Sequence, residues 1–231
     1  MFKIAAALTL ATTVKAAVPA DLVTSIPGFS STDFKTYSGY LTVPGPFPGT
    51  DYTSLEIAYI FNEAREEPSS KPLTTWHQGG PGGNSFYGLF GEGGYFQVAV
   101  DETGNTVTFP NNGTSWNRVS NMLYLDSPAG SNDPIGFSKC YENEKLASIC
   151  KWNDVTQAEA YAATLLAFYK AFPEYSKNPL YLTGESYAGQ YLPNIANTIL
   201  TTKMVKEILF KSILPDNFFI YFLFDFDRPF D

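Results

Sequence analysis

The sequence LYLTGESYAGQYLP, residues 180–193, places Ser186 between a short apolar run and a stretch with helical character. Gly184 lies two residues before Ser186, and Ala188 lies two residues after it. This arrangement is close to the G-x-S-x-G pattern of a strand-to-helix elbow, whose small residues leave room for a sharp turn that lifts the serine hydroxyl above the sheet edge. The pattern therefore predicts a strand, a helix and an exposed candidate nucleophile between them.

Two earlier apolar runs each lead into a loop rich in glycine and proline. Pro72–Trp76 precedes GGPGG, and Asn121–Leu125 precedes DSPAG. Short apolar runs of this kind are typical of strands that are buried on both faces. We expect both runs to lie beside the strand that ends at Gly184, in one sheet.

The remaining patterns predict an α/β fold with a mostly parallel sheet and an antiparallel N-terminal hairpin. Ser38–Val43 and Ser54–Phe61 read as strands separated by a proline- and glycine-rich turn. A possible capping box, Thr156 with Glu159, opens a helical pattern that ends before Pro173. Strands that alternate with helices place functional loops at the carboxyl ends of parallel strands.

Composition indicates one globular domain that enters the secretory pathway. The chain has 231 residues, of which 44% are hydrophobic and 16% charged, so it can bury one sizeable core. Lys3, an apolar run from Ile4 to Val14 and small residues after it predict a cleaved signal peptide over 1–17. That run is too short to span a bilayer, so we expect no stable membrane insertion.

A net charge of −8 argues against nucleic acid as a partner, because no basic stripe is available to neutralise phosphates. The two cysteines, Cys140 and Cys150, are a candidate disulfide in a secreted chain, with two free thiols as the alternative. Asn112 opens a glycosylation sequon in a polar stretch. No cofactor or metal site is predicted, since the single histidine, His77, and the cysteines lack zinc-ligand spacing.

Ser186 has the surroundings that acyl-transfer chemistry needs. The backbone N–H of Tyr187 lies at a predicted helix N-terminus and can stabilise an oxyanion, and a second donor normally comes from a glycine-rich loop after an earlier strand. GGPGG is such a loop. The alternative is a serine in a tight turn without a catalytic role.

Four blocks of the sequence resemble successive motifs of the serine carboxypeptidase family: TTWHQGGPGGNS, GLFGEGGYF, NMLYLDSPAGSNDPIGFS and FPEYSKNPLYLTGESYAGQYLPNIA. They follow the family's order over residues of about 36 to 200, and GESYAG together with W-x-x-GGPG is a specific pairing. The resemblance implies the α/β-hydrolase fold. It also implies removal of single C-terminal residues from peptide or protein substrates, in an extracellular, vacuolar or lysosomal setting.

The resemblance implies a role for particular residues. Ser186 matches the nucleophile, and the backbone N–H groups of Gly80 and Tyr187 match the oxyanion hole. The residues that match those recognising the substrate's terminal carboxylate are Gln78, Glu92 and Glu185. The family normally has asparagine in place of Gln78, often cysteine in place of Gly83, and often serine in place of Asn84, so a disulfide at that point is not expected.

Two glutamates can face a carboxylate only if they hold protons to donate. We therefore expect substrate recognition to weaken as the pH rises through neutrality.

The partners that activate a serine are missing after Ser186. In this fold the nucleophile is followed by an aspartate or glutamate and then a histidine. No histidine follows, and His77 has the wrong position in chain order to be the base. The aspartates that do follow come too soon to be assigned as the acid; they are Asp216, Asp225, Asp227 and Asp231. We expect weak or no peptidase activity from these residues alone.

The predicted layout is a signal peptide over 1–17, the N-terminal part of the α/β-hydrolase domain over 18–202, and an atypical aromatic-rich tail over 203–231, so that the sheet is expected to be truncated. The run Phe218 to Phe224 in that tail is a β-prone aromatic cluster. We nevertheless expect the tail to be translated non-coding or frame-shifted sequence, or the end of a truncated product, rather than the family's next strand. Two alternatives to a carboxypeptidase remain open. One is a non-catalytic fragment or pseudoenzyme that binds peptide C-termini. The other is a different serine hydrolase, such as a proline iminopeptidase, or an acyltransferase of the same fold.

Overall fold

The computed structural model describes residues 18–26, 29, 32–111, 113–130 and 136–202, and the backbone of 218–223. The predicted signal peptide, Asn112 and the rest of the predicted tail lie outside the described residues. Within the described part, no helix is both long and apolar enough to cross a membrane.

The described part of the chain forms an eight-stranded mixed sheet, a separate two-stranded hairpin and three α-helices. The strands in chain order are β1 (Thr36–Pro44), β2 (Ser54–Asn62), β3 (Leu73–His77), β4 (Phe96–Val100), β5 (Thr106–Pro110), β6 (Asn121–Leu125), β7 (Lys139–Glu142), β8 (Lys145–Leu146), β9 (Leu180–Glu185) and β10 (Phe218–Leu223). The helices are α1 (Phe86–Gly91), α2 (Asp154–Ala171) and α3 (Ala188–Thr201).

The large sheet has a parallel half and an antiparallel half. Its order is β10-β9-β3-β6-β2-β7-β8, and β1 pairs with β2. β10, β9, β3 and β6 run parallel to one another, whereas β2 is antiparallel to β1, β6 and β7. The α/β class and the N-terminal hairpin of β1 and β2 are confirmed. The parallel half brings the carboxyl ends of β3, β6 and β9 to one edge, where loops can meet.

The aromatic run in the predicted tail contributes a strand to this sheet. Phe218–Leu223 pairs in parallel with β9, in the register Phe218 with Leu180 through Leu223 with Glu185. The run is a strand, as its β-prone residues allow, but it extends the parallel half of the sheet, whereas the sequence favoured a tail foreign to the fold. The residues that connect it to α3, 203–217, lie outside the described residues.

Residues of the central strands alternate between two hydrophobic clusters, one on each face of the sheet. On β6, Leu123 and Leu125 belong to the cluster that contains α2 and α3, and Met122 and Tyr124 belong to the cluster on the other face. Side chains alternate along a strand with a period of two residues, so a continuous apolar run fills both faces. The prediction that such runs are doubly buried strands is confirmed.

Some local predictions differ from the structure. The capping box of α2 is formed by Asn153 and Thr156, because the Asn153 side chain accepts from the Thr156 backbone N–H at 3.0 Å and the Thr156 hydroxyl accepts from the Asn153 N–H at 3.1 Å. The predicted box of Thr156 with Glu159 was wrong by three positions, since Thr156 is the third helical residue and not the cap. The hairpin of β4 and β5, the short helix α1 and the strands β7 and β8 were not predicted.

Close packing of β9 against the end of β3 makes a glycine necessary at position 184. Gly184 pairs with His77, and a Cβ atom at 184 would lie 2.3 Å from the His77 carbonyl oxygen and 2.6 Å from the Ala188 Cβ. The second small position of the elbow is occupied by Ala188, which is fully buried, so this position accommodates a methyl group. The close approach of the two strands, and therefore the position of Ser186, depends on the absence of a side chain at position 184.

We expect Gly184→Ala to lower the free energy of unfolding by about 2 to 3 kcal/mol, because the added methyl group meets backbone that cannot move aside without disturbing the sheet. Urea unfolding of the two proteins measures the difference. Gly113→Ala is the matched control, since a Cβ there has no neighbour within 4 Å, and it should shift the value by less than about 0.5 kcal/mol. Equal losses in the two variants would contradict this account of the β3 and β9 contact.

Candidate active site

Ser186 occupies the turn between β9 and α3 in a strained backbone conformation. Its φ angle is +54°, in the left-handed region, which costs a residue with a Cβ about 1 to 2 kcal/mol. The side chain is exposed. The turn ends at once in α3, whose first bonds run from the Gly189 N–H to the Ser186 carbonyl at 3.0 Å and from the Gln190 N–H to the Tyr187 carbonyl at 2.8 Å. The structure therefore has the elbow geometry that the sequence predicts.

The glycine-rich loop after β3 lies directly against this elbow. A Cβ atom at Gly79 would lie 2.7 Å from the Tyr187 backbone nitrogen and 2.8 Å from both the Glu185 carbonyl oxygen and the Ser186 Cβ. Only glycine permits this approach. The two segments that the sequence placed at one site, GGPGG and GESYAG, are in contact in the structure.

The backbone N–H groups of Gly80 and Tyr187 stand at this contact. Within the described ranges, neither group donates a hydrogen bond to a protein acceptor. Gly80 has a φ of +115° and is exposed, and Tyr187 is the N-cap residue of α3. Free donors at a helix N-terminus favour an anionic oxygen, because the helix dipole adds to the hydrogen bonds. This arrangement can therefore accept a developing oxyanion.

Gln78, Glu92 and Glu185 meet through the Gln78 amide. The amide nitrogen donates to Glu185 Oε1 and to Glu92 Oε1, the second at 3.4 Å. The amide oxygen accepts from the indole N–H of Trp76 at 3.0 Å. The structure therefore brings together the three residues that the family resemblance marks for carboxylate recognition, and Gln78 spans both acids with its longer side chain.

His77 is the only histidine in the sequence, and it lies beneath the site in the core. Its side chain is fully buried between the rings of Tyr161 and Tyr191, whose centroids are 5.1 and 4.5 Å away. Its Nδ1 bonds the Gln78 carbonyl at 2.8 Å and its Nε2 bonds the Gln157 amide nitrogen at 2.9 Å. Both ring nitrogens are occupied, which agrees with the interpretation that His77 is not the general base.

Burial determines the charge of this histidine. Removal from water disfavours the protonated ring and lowers the pKa of His77 to about 4, while the hydrogen bond to the Gln78 carbonyl opposes part of the shift. The ring is therefore neutral over most of the physiological range.

Two tyrosines of the elbow helix make contacts that were not predicted. The Tyr187 hydroxyl donates to the Asp154 carboxylate, with both oxygens at 3.2 Å, and so links the elbow to the start of α2. The Tyr191 hydroxyl accepts from the Gly82 N–H at 3.1 Å and holds the far end of the glycine-rich loop. Their spacing in GESYAGQY places both on neighbouring turns of α3, but only the fold shows which partners they meet.

Cys140 and Cys150 are joined by a disulfide bond, with their Cα atoms 6.0 Å apart. The bridge ties β7 to the segment before α2 and packs against Gly130 of the DSPAG loop, where a Cβ would lie 2.7 Å from the Cys150 sulfur. The Trp152 indole N–H, two residues after the bridge, donates to the Ala129 carbonyl at 2.8 Å. The disulfide therefore helps to fix a loop at the edge of the parallel strands.

A family model described as serine carboxypeptidase matches residues 27–225. Among curated proteins, the chain is 37% identical over 181 residues to serine carboxypeptidase-like 20 of Arabidopsis thaliana, which covers 78% of this chain and 34% of that protein. It is 37% identical over 187 residues to the lysosomal protective protein of Mus musculus, covering 80% of this chain and 35% of that protein. The chain therefore spans about a third of the length of these relatives.

A solved structure has a similar fold. Kex1Δp, a prohormone-processing carboxypeptidase from Saccharomyces cerevisiae, superposes with a TM-score of 0.60 over 90% of this chain and 42% of its own, at 24% sequence identity. The likeness confirms the predicted fold class, an α/β-hydrolase sheet. The family match also runs past residue 202, where the sequence predicts that the domain gives way to a tail, and takes in β10.

The buried histidine makes a prediction for stability. Its pKa is about 4 in the folded chain and 6.5 in a model compound, so between these values the unfolded chain binds a proton that the folded chain does not. The contribution of His77 to the free energy of unfolding is therefore fully present above about pH 6.5 and is lost as the pH falls towards 4. We expect the loss of this contribution to lower the free energy of unfolding by about 2 kcal/mol between pH 7 and pH 5.

Urea unfolding of the wild type and of His77→Leu at both pH values measures this loss. The decrease between pH 7 and pH 5 should be smaller in His77→Leu by that amount, whatever the absolute stability of the variant. Equal decreases in the two proteins would show that His77 is not held neutral by burial.

Proposed function

The chain belongs to the serine carboxypeptidase family, and on that premise we propose that Ser186 is the nucleophile of a serine-type carboxypeptidase site. Such a site releases C-terminal residues from peptides through an acyl-enzyme. The observation that carries the proposal is the meeting of the Gln78, Glu92 and Glu185 side chains beside the elbow, because it gives a serine hydrolase site a place for a free C-terminus.

The chemistry follows from the geometry of the elbow. The Ser186 oxygen adds to the scissile carbonyl carbon, and its proton passes to a general base. We propose that the carbonyl oxygen becomes an oxyanion that accepts hydrogen bonds from the N–H groups of Gly80 and Tyr187. Collapse of the intermediate breaks the C–N bond and releases the C-terminal residue, whose nitrogen takes up the proton. Water then attacks the acyl-serine in the same way and completes proteolysis.

The base for this proton transfer is not among the described residues near Ser186. Both nitrogens of His77 are engaged in the core, and no other histidine occurs in these 231 residues. Loss of a triad partner lowers the rate by a factor of about 10⁴ to 10⁶, leaving the contribution of the oxyanion hole and of binding. We propose that a polypeptide of these residues has weak or no peptidase activity.

Glu92 and Glu185 determine how the site treats a carboxylate ligand. Each can donate a hydrogen bond to the ligand's carboxylate only while protonated, and two ionised acids would repel it. Gln78 cannot replace them, because its amide group is already committed to Trp76 and to the two acids. We propose that a peptide's free C-terminus binds here through hydrogen bonds from the protonated acids.

A non-catalytic role is the second candidate, and a specific observation favours it. Gln78, Glu92 and Glu185 meet beside the elbow although no base is present among the described residues near Ser186. The chain would then bind peptide C-termini without cleaving them.

The proposed cellular setting is the secretory pathway, with an extracellular, vacuolar or lysosomal destination. A signal peptide over 1–17 and a glycan on Asn112 belong to the same proposal. The disulfide between Cys140 and Cys150 supports it, since such bonds persist in oxidising compartments, and one relative is named a lysosomal protein. The proposed layout keeps 18–202 as the N-terminal part of the domain and 203–231 as an aromatic-rich tail.

Calorimetric binding of one short peptide as its free acid and as its C-terminal amide tests the proposal. We expect the free acid to bind about tenfold tighter than the amide at acidic pH. Glu185→Gln should retain this preference, because its amide donates a hydrogen bond at any pH. Glu102→Gln, which changes an exposed acid in the turn between β4 and β5, is the control.

Hydrolysis of a blocked dipeptide at acidic pH separates the two candidates. We expect weak turnover at similar rates in the wild type and in Ser186→Ala, because without the base the serine adds little to the residual rate. Turnover that is rapid and is abolished in Ser186→Ala would contradict the absence of a base. Equal affinity for the free acid and the amide at pH 5 would contradict the carboxylate site.

A further inference from the structure

His77 contacts the segment that leads into the glycine-rich loop. Its Nδ1 lies 2.8 Å from the carbonyl oxygen of Gln78, the residue immediately before Gly79. A carbonyl oxygen can only accept, so Nδ1 must carry the proton and donate it. In a neutral ring the other nitrogen, Nε2, is then an acceptor. The structure thereby defines one tautomer of the buried imidazole.

Gln157 of α2 holds the ring in that tautomer. Its amide nitrogen lies 2.9 Å from His77 Nε2 and donates to it. The reverse orientation of the amide would place an oxygen against an unprotonated nitrogen, with no hydrogen to share. Tyr161 and Tyr191 enclose the ring from α2 and α3, so the imidazole cannot turn away from the Gln78 carbonyl.

The loop is held at both ends by groups outside it. At its start, the Gln78 carbonyl accepts from His77 and the Gln78 N–H donates to the buried Ser85 hydroxyl at 3.2 Å. At its far end, the Gly82 N–H donates to the Tyr191 hydroxyl. Gly79 and Gly80 lie between these points. Glycine has the greatest backbone freedom of any residue, so the direction of the Gly80 N–H depends on such anchors.

We infer that His77 is a positioning residue that orients the oxyanion-binding glycine loop by donating its Nδ1 proton to the Gln78 carbonyl, with Gln157 holding the tautomer. This role rests on the proposed function of the Gly80 and Tyr187 N–H groups. His77 does not touch the reacting atoms. It acts through the peptide group that precedes Gly79, and it connects α2 to the loop through Gln157.

Nuclear magnetic resonance of the wild-type chain gives the first test, because the single histidine allows an unambiguous assignment. With ¹⁵N-labelled histidine, we expect one ring nitrogen with the shift of a protonated nitrogen at Nδ1 and one with the shift of an unprotonated nitrogen at Nε2, at pH 7. A ring protonated at Nε2, or one that exchanges rapidly between tautomers, would overturn the inference without any variant.

Paired substitutions give the second test. His77→Asn keeps an N–H donor near the Nδ1 position, whereas His77→Leu removes it and leaves the buried Gln78 carbonyl without this partner. The Gly82 amide donates to the Tyr191 hydroxyl, and the Gly83 amide donates to the Gly79 carbonyl. We expect hydrogen exchange at both amides to become about three- to tenfold faster in His77→Leu and to remain near the wild-type rate in His77→Asn. Tyr161→Phe is the control, because it removes a buried hydroxyl next to His77 but keeps the aromatic ring against the imidazole.

Unchanged exchange at these amides in His77→Leu would overturn the positioning role. Failure of a peptide free acid to bind better than its amide would count against the proposed function, while the tautomer and exchange data would still decide whether His77 orders the loop.

Discussion

The close approach of the β9 end to the β3 end is the constraint on which the candidate site depends. Gly184 lies so near the His77 carbonyl that no side chain fits, and Gly79 lies almost as close to the backbone of the elbow. Without these two contacts the glycine-rich loop and the elbow would be separate turns at the edge of a sheet. Because of them, Ser186 is held at a positive φ beside the loop that follows β3. The energy that maintains this strain comes from burial of β3 on both faces of the sheet and of Leu180 and Leu182 of β9 on one face.

The polar groups around the elbow follow from the same contact. Trp76, His77 and Gln78 are successive residues at the end of β3, and their side chains alternate between the faces and the edge of the sheet. Trp76 directs the Gln78 amide towards Glu92 and Glu185, whereas His77 points to the opposite face and meets α2 and α3. One short strand end thus carries both the proposed carboxylate site and the support of the proposed oxyanion loop.

Sequence patterns predicted the parts of the fold that depend on the periodicity of apolar residues and on local turns. The runs that became β3, β6 and β9 were identifiable as short apolar stretches followed by turn residues, and the elbow was identifiable from the small residues around Ser186. The hairpin of β4 and β5 was not, because its strands are largely exposed and lack a continuous apolar run. The contact of Tyr191 with Gly82, and that of His77 with Gln157, join residues far apart in sequence. No local pattern encodes such pairs, since they depend on how α2 and α3 pack on the sheet.

The central claim is that packing of β3 against β9 holds Ser186 in a left-handed conformation that its own side chain disfavours. Comparison of Ser186→Gly with Ser186→Ala by urea unfolding tests it most directly, because both variants lack the hydroxyl and only glycine adopts a positive φ without strain. We expect the free energy of unfolding of Ser186→Gly to exceed that of Ser186→Ala by about 1 kcal/mol. A Ser186→Gly protein that is equally or less stable than Ser186→Ala would show that the elbow is not strained, and would contradict the account of how the sheet builds this site.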